Sequence, residues 1–244
     1  MSPRRADGPT LGGMDAALPE HWSPWRSPSP LGDRRPDKTE TVSAAASGAL
    51  REDVLPYPED ERNAGLLSML IVGINPSPWT AAVNSPFARP GNRFWGSLHL
   101  AGVLDRNVDA SRGLSPEDER MLAARGIGIV NLVGRPTARA DELSRQELRE
   151  GGTRLLERVR ILRPRTAAVV GVTAFRTAFD LPHSSLGEQP ADTVAGWPKD
   201  VRLWVLPNPS GLNAHETAQS LAEKWGEVWT ATSAAPKSGG EAER

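Results

Sequence analysis

The chain has 244 residues, of which 29 are basic and 30 acidic, for a formal net charge of −1. Bulk charge therefore favours no polyanionic partner, and any basic site must be a local patch. The absence of cysteine excludes disulfides, thiol nucleophiles and cysteine-ligated zinc or iron–sulfur centres.

The length suits one sizeable α/β core with tails. Residues 1–60 carry scattered prolines, small polar residues and mixed charge without an apolar period, the composition of a disordered tail dispensable for the core. Within it, His21-Trp22-Ser23-Pro24-Trp25 forms an aromatic cluster suited to docking. Arg4-Arg5 is followed by no apolar run, so neither a signal peptide nor a spanning helix is expected, and the expected location is cytoplasmic.

The core, residues 61–231, opens on Leu70–Ile74, a partly β-branched apolar run that reads as a buried parallel strand. It stops at Asn75-Pro76-Ser77-Pro78. Open α/β sheets bind ligands just past the carboxyl ends of their strands, so Asn75 stands where such folds do chemistry. Asn at an N-cap before Pro at N1 is also an ordinary helix start. The segment Asn92 to Gly102 reads as a helix, as does Pro116 to Arg125. A second strand is expected over Gly128–Val133, ending in Gly134-Arg135-Pro136-Thr137.

A longer helix runs from Ser144 to Leu162, opened by the capping box Ser144-x-x-Glu147. Its stripe is Leu148, Leu155, Leu156, Val159 and Leu162, at helical spacing. Gly151-Gly152 interrupts the propensity and either permits close packing or ends a first short helix. Strands over Ala167–Val170 and Leu203–Leu206 follow, then the loop Pro207 to Asn213 and a last helix over Leu221 to Trp229. Residues 232–244 form a second polar tail. Alternating strands and helices predict an α/β three-layer sandwich around a central, mainly parallel four-stranded sheet.

In a parallel sheet the loops after the first, second and fourth strands converge on one rim. A further loop, Phe87 to Trp95, mixes aromatics with arginine, which suits stacking on a base and gripping phosphate. Of its residues, Phe87 and Arg93 are the candidates for function, and Phe94 and Trp95 for the core. The rim holds no Ser-His-Asp set, no phosphate-cradling GxxxxGK and no paired carboxylates. An Asn can orient a water but is a poor base, so the reaction must have a leaving group that departs easily. His21, His99, His183 and His215 show no metal-ligand spacing; no metal and no other cofactor is expected.

Five pieces occur together: Gly73-Ile74-Asn75-Pro76, Pro86 to Trp95, Asn131 to Thr137, Glu142 to Gly152 and Leu206 to Leu212. In this order the chain resembles the mismatch-specific uracil/thymine-DNA glycosylases of the uracil-DNA glycosylase superfamily, over roughly Leu66 to Trp229. The resemblance implies a monofunctional glycosylase, a monomer acting on duplex DNA with a mismatched or damaged base. Asn75 would orient the water attacking the sugar C1′. Ile74, Phe87, Asn131 and Asn208 would contact the base, with Phe87 stacking on it. Arg93, Ser210, Gly211, Leu212 and Asn213 would contact the DNA, with Leu212 as a wedge. Backbone N–H groups near Ile74 and Phe87 would stabilise the departing base. Ser77, Pro78-Trp79-Thr80 and Asn213-Ala214-His215 depart from the family pattern. A non-catalytic nucleic-acid-binding module and a hydrolase of small nucleotides are the alternatives. The first has no need of Asn75, the second none of Leu212.

Overall fold

The computed structural model describes residues 27–47, 53–56, 64–190 and 192–234; the Trp22–Trp25 cluster lies outside them. In chain order the elements are α1 (Lys38–Ala46), β1 (Met69–Gly73), α2 (Pro78–Val83), α3 (Phe94–Leu100), α4 (Pro116–Ala124) and β2 (Ile127–Asn131). A short 3₁₀ turn, Ala140–Glu142, precedes α5 (Arg145–Leu162), β3 (Thr166–Val170), α6 (Val172–Phe179), β4 (Gly187–Gln189), β5 (Arg202–Leu206) and α7 (Ala218–Ser233). The sheet order is β2-β1-β3-β5-β4. The four expected strands are parallel, and β4 adds a fifth, antiparallel edge strand against β5. At three residues, β4 is too short to show a period.

β1 and β3 are buried along their whole length, because apolar clusters cover both faces of the sheet. On one face, Leu70, Val72, Val169 and Val205 pack with Leu155, Val159 and Phe175 of α5 and α6. On the other, Ile71, Ile129 and Ala168 pack with Phe94, Trp95 and Leu98 of α3 and Trp225 of α7. This is the three-layer arrangement expected from the sequence. No described helix is long and apolar enough to cross a membrane.

α5 is one continuous helix, capped by Ser144 as its sequence predicts. Gly151 and Gly152 are both buried in it, the first against the backbone of Leu132 and the second against that of Ala178. A Cβ on Gly152 would lie 2.6 Å from the Ala178 carbonyl oxygen, and one on Gly151 would press as hard on the Leu132 carbonyl. The pair therefore serves close packing and does not end a helix. Two energies oppose each other in Gly151→Ala. Helix propensity favours Ala by about 1 kcal/mol, whereas overpacking against backbone costs about 1–3 kcal/mol. The expected result is net destabilisation, at about 2–4 °C of Tm per kcal/mol for a chain of this size. Thermal unfolding checks it: an unchanged or raised Tm would mean that α5 can move off the Leu132 loop.

The expected N-terminal tail departs most from the structure. Within it, α1 starts at a capping box between Asp37 and Glu40 and lies on α2. Further on, Val54 exchanges both backbone hydrogen bonds with Ile129, at 2.8 and 2.7 Å, on the free side of β2. Val54 and Leu55 are buried, and Asp53 pairs with Arg158 of α5 at 2.7 Å. The segment thus covers an edge that would otherwise present unpaired backbone groups. At the other end, α7 continues to Ser233, where Thr232 is buried and bonded to Thr166 at 2.9 Å.

Candidate active site

The strand ends meet as the topology requires. Gly73 is in register with Asn131, and Val170 with Leu206. Beyond them opens a cleft of about 380 Å³, lined by Ile74, Asn75, Ser77, Thr80, Phe87, Asn131, Thr137, Asn208 and Leu212 among others. All five sequence-assigned catalytic and base-contacting residues line it. Of the assigned DNA-contacting residues, Ser210, Leu212 and Asn213 do so too, while Arg93 and Gly211 do not.

Asn75 is not a helix cap. The N-cap of α2 is Ser77, two residues later, with Pro78 opening the helix and the Ser77 hydroxyl accepting from Thr80 N at 3.1 Å. This frees the Asn75 side chain. Its Nδ2 donates to the carbonyls of Pro76 and Arg135, both at 3.1 Å, and to Thr137 Oγ1 at 2.7 Å. Thr137 in turn donates to the Arg139 carbonyl at 2.7 Å. With the amide nitrogen so engaged, no described residue bonds to Oδ1. Asn75 therefore presents a fixed acceptor to the cleft, suited to orienting a water.

The loop that supplies these acceptors is held on two sides. Its backbone runs along the β1 loop through Leu132 N to Gly73 O, Val133 N to Ile74 O and Thr137 N to Pro76 O, at 2.9–3.1 Å. The Arg135 guanidinium grips Glu147 with both forks, at 2.7 and 3.1 Å. The Arg135 hydrogen bonds, followed by the Ser144 backbone N–H, hold the Glu147 carboxyl down at about 2. A depressed carboxylate contributes above the ordinary carboxylate range and is lost as pH falls towards about 2. This tie therefore stays charged at any neutral working pH.

Phe87 has φ +52°, an outlier for a bulky residue. One face of its ring stacks on Phe94 at 3.8 Å between centroids, and the side chain lines the cleft. Phe94 itself is fully buried, so it is the support of the stack. Gly73 allows this closure: a Cβ there would sit 2.5 Å from Asn131 Oδ1 and 3.3 Å from Phe87 Cζ. The Asn131 amide lines the cleft and forms no hydrogen bond to a described residue.

The loop 207–213 is shaped by its own polar side chains. Asn208 Oδ1 accepts from Ser210 N at 3.0 Å, and Asn213 Nδ2 donates to the Asn208 carbonyl at 3.0 Å. Ser210 Oγ accepts from Leu212 N at 3.3 Å. These bonds leave Leu212 at the lip, 70% exposed.

Arg93 was expected to grip DNA, but its described contacts are internal. Its Nη1 donates to the carbonyls of Ser210 and Asn213, at 3.2 and 3.0 Å, and its backbone N to Pro209 O at 3.0 Å. Gly211 lies so close to Gly91 that a Cβ would come within 2.6 Å of the Gly91 carbonyl oxygen. Behind the loop, burial raises the Glu216 carboxyl, but Ser220, Lys224 and the charge of Arg93 outweigh it and hold it below its usual range.

The exposed cation of this loop is Arg89, which lines the cleft and has no ion pair among the described residues. Sequence reasoning passed over it. The two arginines share one Pro/Gly turn, and only the position of the 207–213 loop tells which turns inward. Arg93→Ala should therefore unfasten the Leu212 loop. Each hydrogen bond from a charged donor is worth about 1.5–3 kcal/mol. Excision from duplex should fall more than excision from single strands, and loss of a surface phosphate contact should follow Arg89→Ala instead. A salt dependence of binding changed by Arg93→Ala and untouched by Arg89→Ala would reverse these roles.

Among the described residues no cluster of three or more metal-ligating side chains occurs. A family model described as the uracil DNA glycosylase superfamily matches residues 61–230, a span that contains every cleft residue named above.

Proposed function

The chain belongs to the uracil-DNA glycosylase superfamily, whose members hydrolyse N-glycosidic bonds in DNA; from that premise we propose that it is a monofunctional glycosylase, acting as a monomer on uracil in G:U-type mispairs. The observation that carries the reading is the Asn75 amide, its nitrogen spent on Thr137, Pro76 and Arg135 and its oxygen left as an acceptor in the cleft that Phe87 also lines.

A base inside a duplex is out of reach and must be flipped, at a few kcal/mol, least for a mispair. Leu212 enters the vacated stack as an apolar wedge. The flipped base lies on Phe87, with the Asn131 and Asn208 amides at its edge. Asn75 Oδ1 accepts a hydrogen bond from the water that attacks C1′. As the C–N bond breaks, the sugar gains positive character and the base leaves with the bonding pair. The water oxygen bonds C1′ and gives up one proton to solvent, and the departing uracil anion takes up one in exchange, leaving free uracil and an abasic sugar. Uracil is the better leaving group among ordinary pyrimidines, which suits a site whose water is held by an amide.

The test is single-turnover excision by the full chain on G:U, G:T, hypoxanthine and ethenocytosine duplexes, on single-stranded uracil DNA and on free deoxyuridine. Release of uracil is expected from G:U duplex, undiminished in excess EDTA, without strand nicking and without a borohydride-trapped adduct. A lysine route would need an activated amine, and the three rim loops contain no lysine. Binding without release on every duplex would favour a pure binding module. Turnover of the free nucleoside alone would favour a small-nucleotide hydrolase.

A further inference from the structure

α2 is six residues long, too short to hold its own shape, so its position must come from what packs on it. Its N-cap Ser77 and its Thr80 both line the cleft. Thr80 Oγ1 also accepts from Ala88 N at 3.3 Å, next to Phe87. Whatever places α2 therefore places one wall of the cleft and bears on the aromatic platform.

Much of what packs on α2 precedes the family-matched region. Asn84, the left-handed C-cap of α2, donates from Nδ2 to the Ser27 carbonyl at 3.0 Å. Ser29 abuts Gly113, beside the Val83 carbonyl at the end of α2. Leu31 packs into the same apolar cluster as Trp79 and Phe87, Pro36 is buried, and α1 lies along α2. The loop 109–113 completes the clasp. Trp79 Nε1 donates to the Ser111 carbonyl at 2.9 Å, and Arg35 Nε donates to Ser111 Oγ at 3.1 Å. Arg112 donates to the Asp33 carbonyl at 3.2 Å. Trp79 thus ties the start of α2 to this clasp and takes no part in lining the cleft.

We propose that residues 27–47 are a positioning strap for the excision cleft, holding α2 at both ends and with it the Ser77–Thr80 wall; the proposal rests on the glycosylase reading. No strap residue lines the cleft, so its effect is on the placement of groups that do. Displacing a site wall by about 1 Å costs up to 10²-fold in rate.

The experiment uses the full chain with Leu31→Ser and Arg35→Ala combined, which weakens docking and leaves residues 61–230 intact. Limited proteolysis reports undocking, and thermal unfolding defines a temperature at which the variant is fully folded. At that temperature, kcat should fall by about tenfold or more with KM little changed. The ratio of uracil to ethenocytosine excision should also shift, because a displaced wall changes the shape of the pocket. A strap of purely structural importance would lower Tm and leave kcat and the ratio alone, and that result overturns the proposal. Retained protease protection with unchanged kinetics overturns it too, since Leu31 and Arg35 would then not hold the strap. Wild-type excision is measured first: its absence on every duplex refutes the glycosylase reading and with it the strap's role in excision, whereas wild-type excision with unchanged variant kinetics overturns the strap alone.

Discussion

Asn75→Ala is expected to lower single-turnover excision from G:U duplex by about 10²–10⁴, the usual cost of losing a positioned acid–base-type group. Binding to the duplex should be unaffected, since Asn75 is half-buried within the cleft, while the exposed Leu212 stands at its lip. The fold should survive, because two of the three acceptors freed by the mutation belong to Pro76 and Thr137, which line the cleft, where water can replace the amide. Asn75→Asp sharpens the result. A carboxylate in the same place would set an oxygen against the Pro76 and Arg135 carbonyls, where Nδ2 now donates, so it should not rescue the rate. Thr137→Val keeps Asn75 and removes one anchor at 2.7 Å, and should cost less than Asn75→Ala. Excision at the wild-type rate by a folded Asn75→Ala chain would end the assignment of this residue and of the mechanism built on it.

Leu212→Ala should slow excision from duplex far more than from single strands. Flipping leaves a gap in the base stack, and the Leu212 side chain, 70% exposed in the free protein, is placed to fill it. Losing that burial raises the energy of the flipped state by about 1–3 kcal/mol, equivalent to about 5–150-fold in rate. A single strand has no stack to repair and should lose little. Release of the abasic duplex should also be faster, since the wedge holds the product. Protein stability should hardly change, as the side chain buries little before DNA arrives. The measurement is the ratio of excision rates on G:U duplex and single-stranded uracil DNA, before and after mutation. The same ratio in a folded variant would show that Leu212 serves only its own loop.

Several elements of this molecule are legible locally. The apolar run before Asn75 and the turn residues after it place a strand end, and a strand end in a parallel sheet places a site. Ser144 and Glu147 announce the start of α5 by hydrogen bonds three residues apart, and the same grammar at Asp37 and Glu40 marks α1. That signal was readable, but the prolines around it outweighed it in a reading by composition. The convergence of the three loops also follows from strand order alone.

Other features depend on partners remote in sequence. Whether Asn75 caps a helix or faces a cleft is decided by Ser77, which takes over the cap, and by Arg135 and Thr137, some 60 residues later. Arg89 and Arg93 are chemically equivalent four residues apart; carbonyls 117 and 120 residues further on claim the second and leave the first at the rim. Trp79 departs from the family pattern without an evident role until its indole is seen to donate to Ser111, 32 residues later. Residues 27–56 have too little apolar content to fold alone, yet Val54 finds a free strand edge and Leu31 an unfilled place in a core that the rest of the chain builds. Sequence by itself thus determined the four parallel strands and which residues stand at their ends, because period, caps and turn residues act over a few residues. Only the tertiary structure decided which side chains face the cleft, which are spent holding its loops, and that the described N-terminal segment packs on the core. Those outcomes turn on hydrogen-bond partners and apolar surfaces that do not exist until the chain has folded.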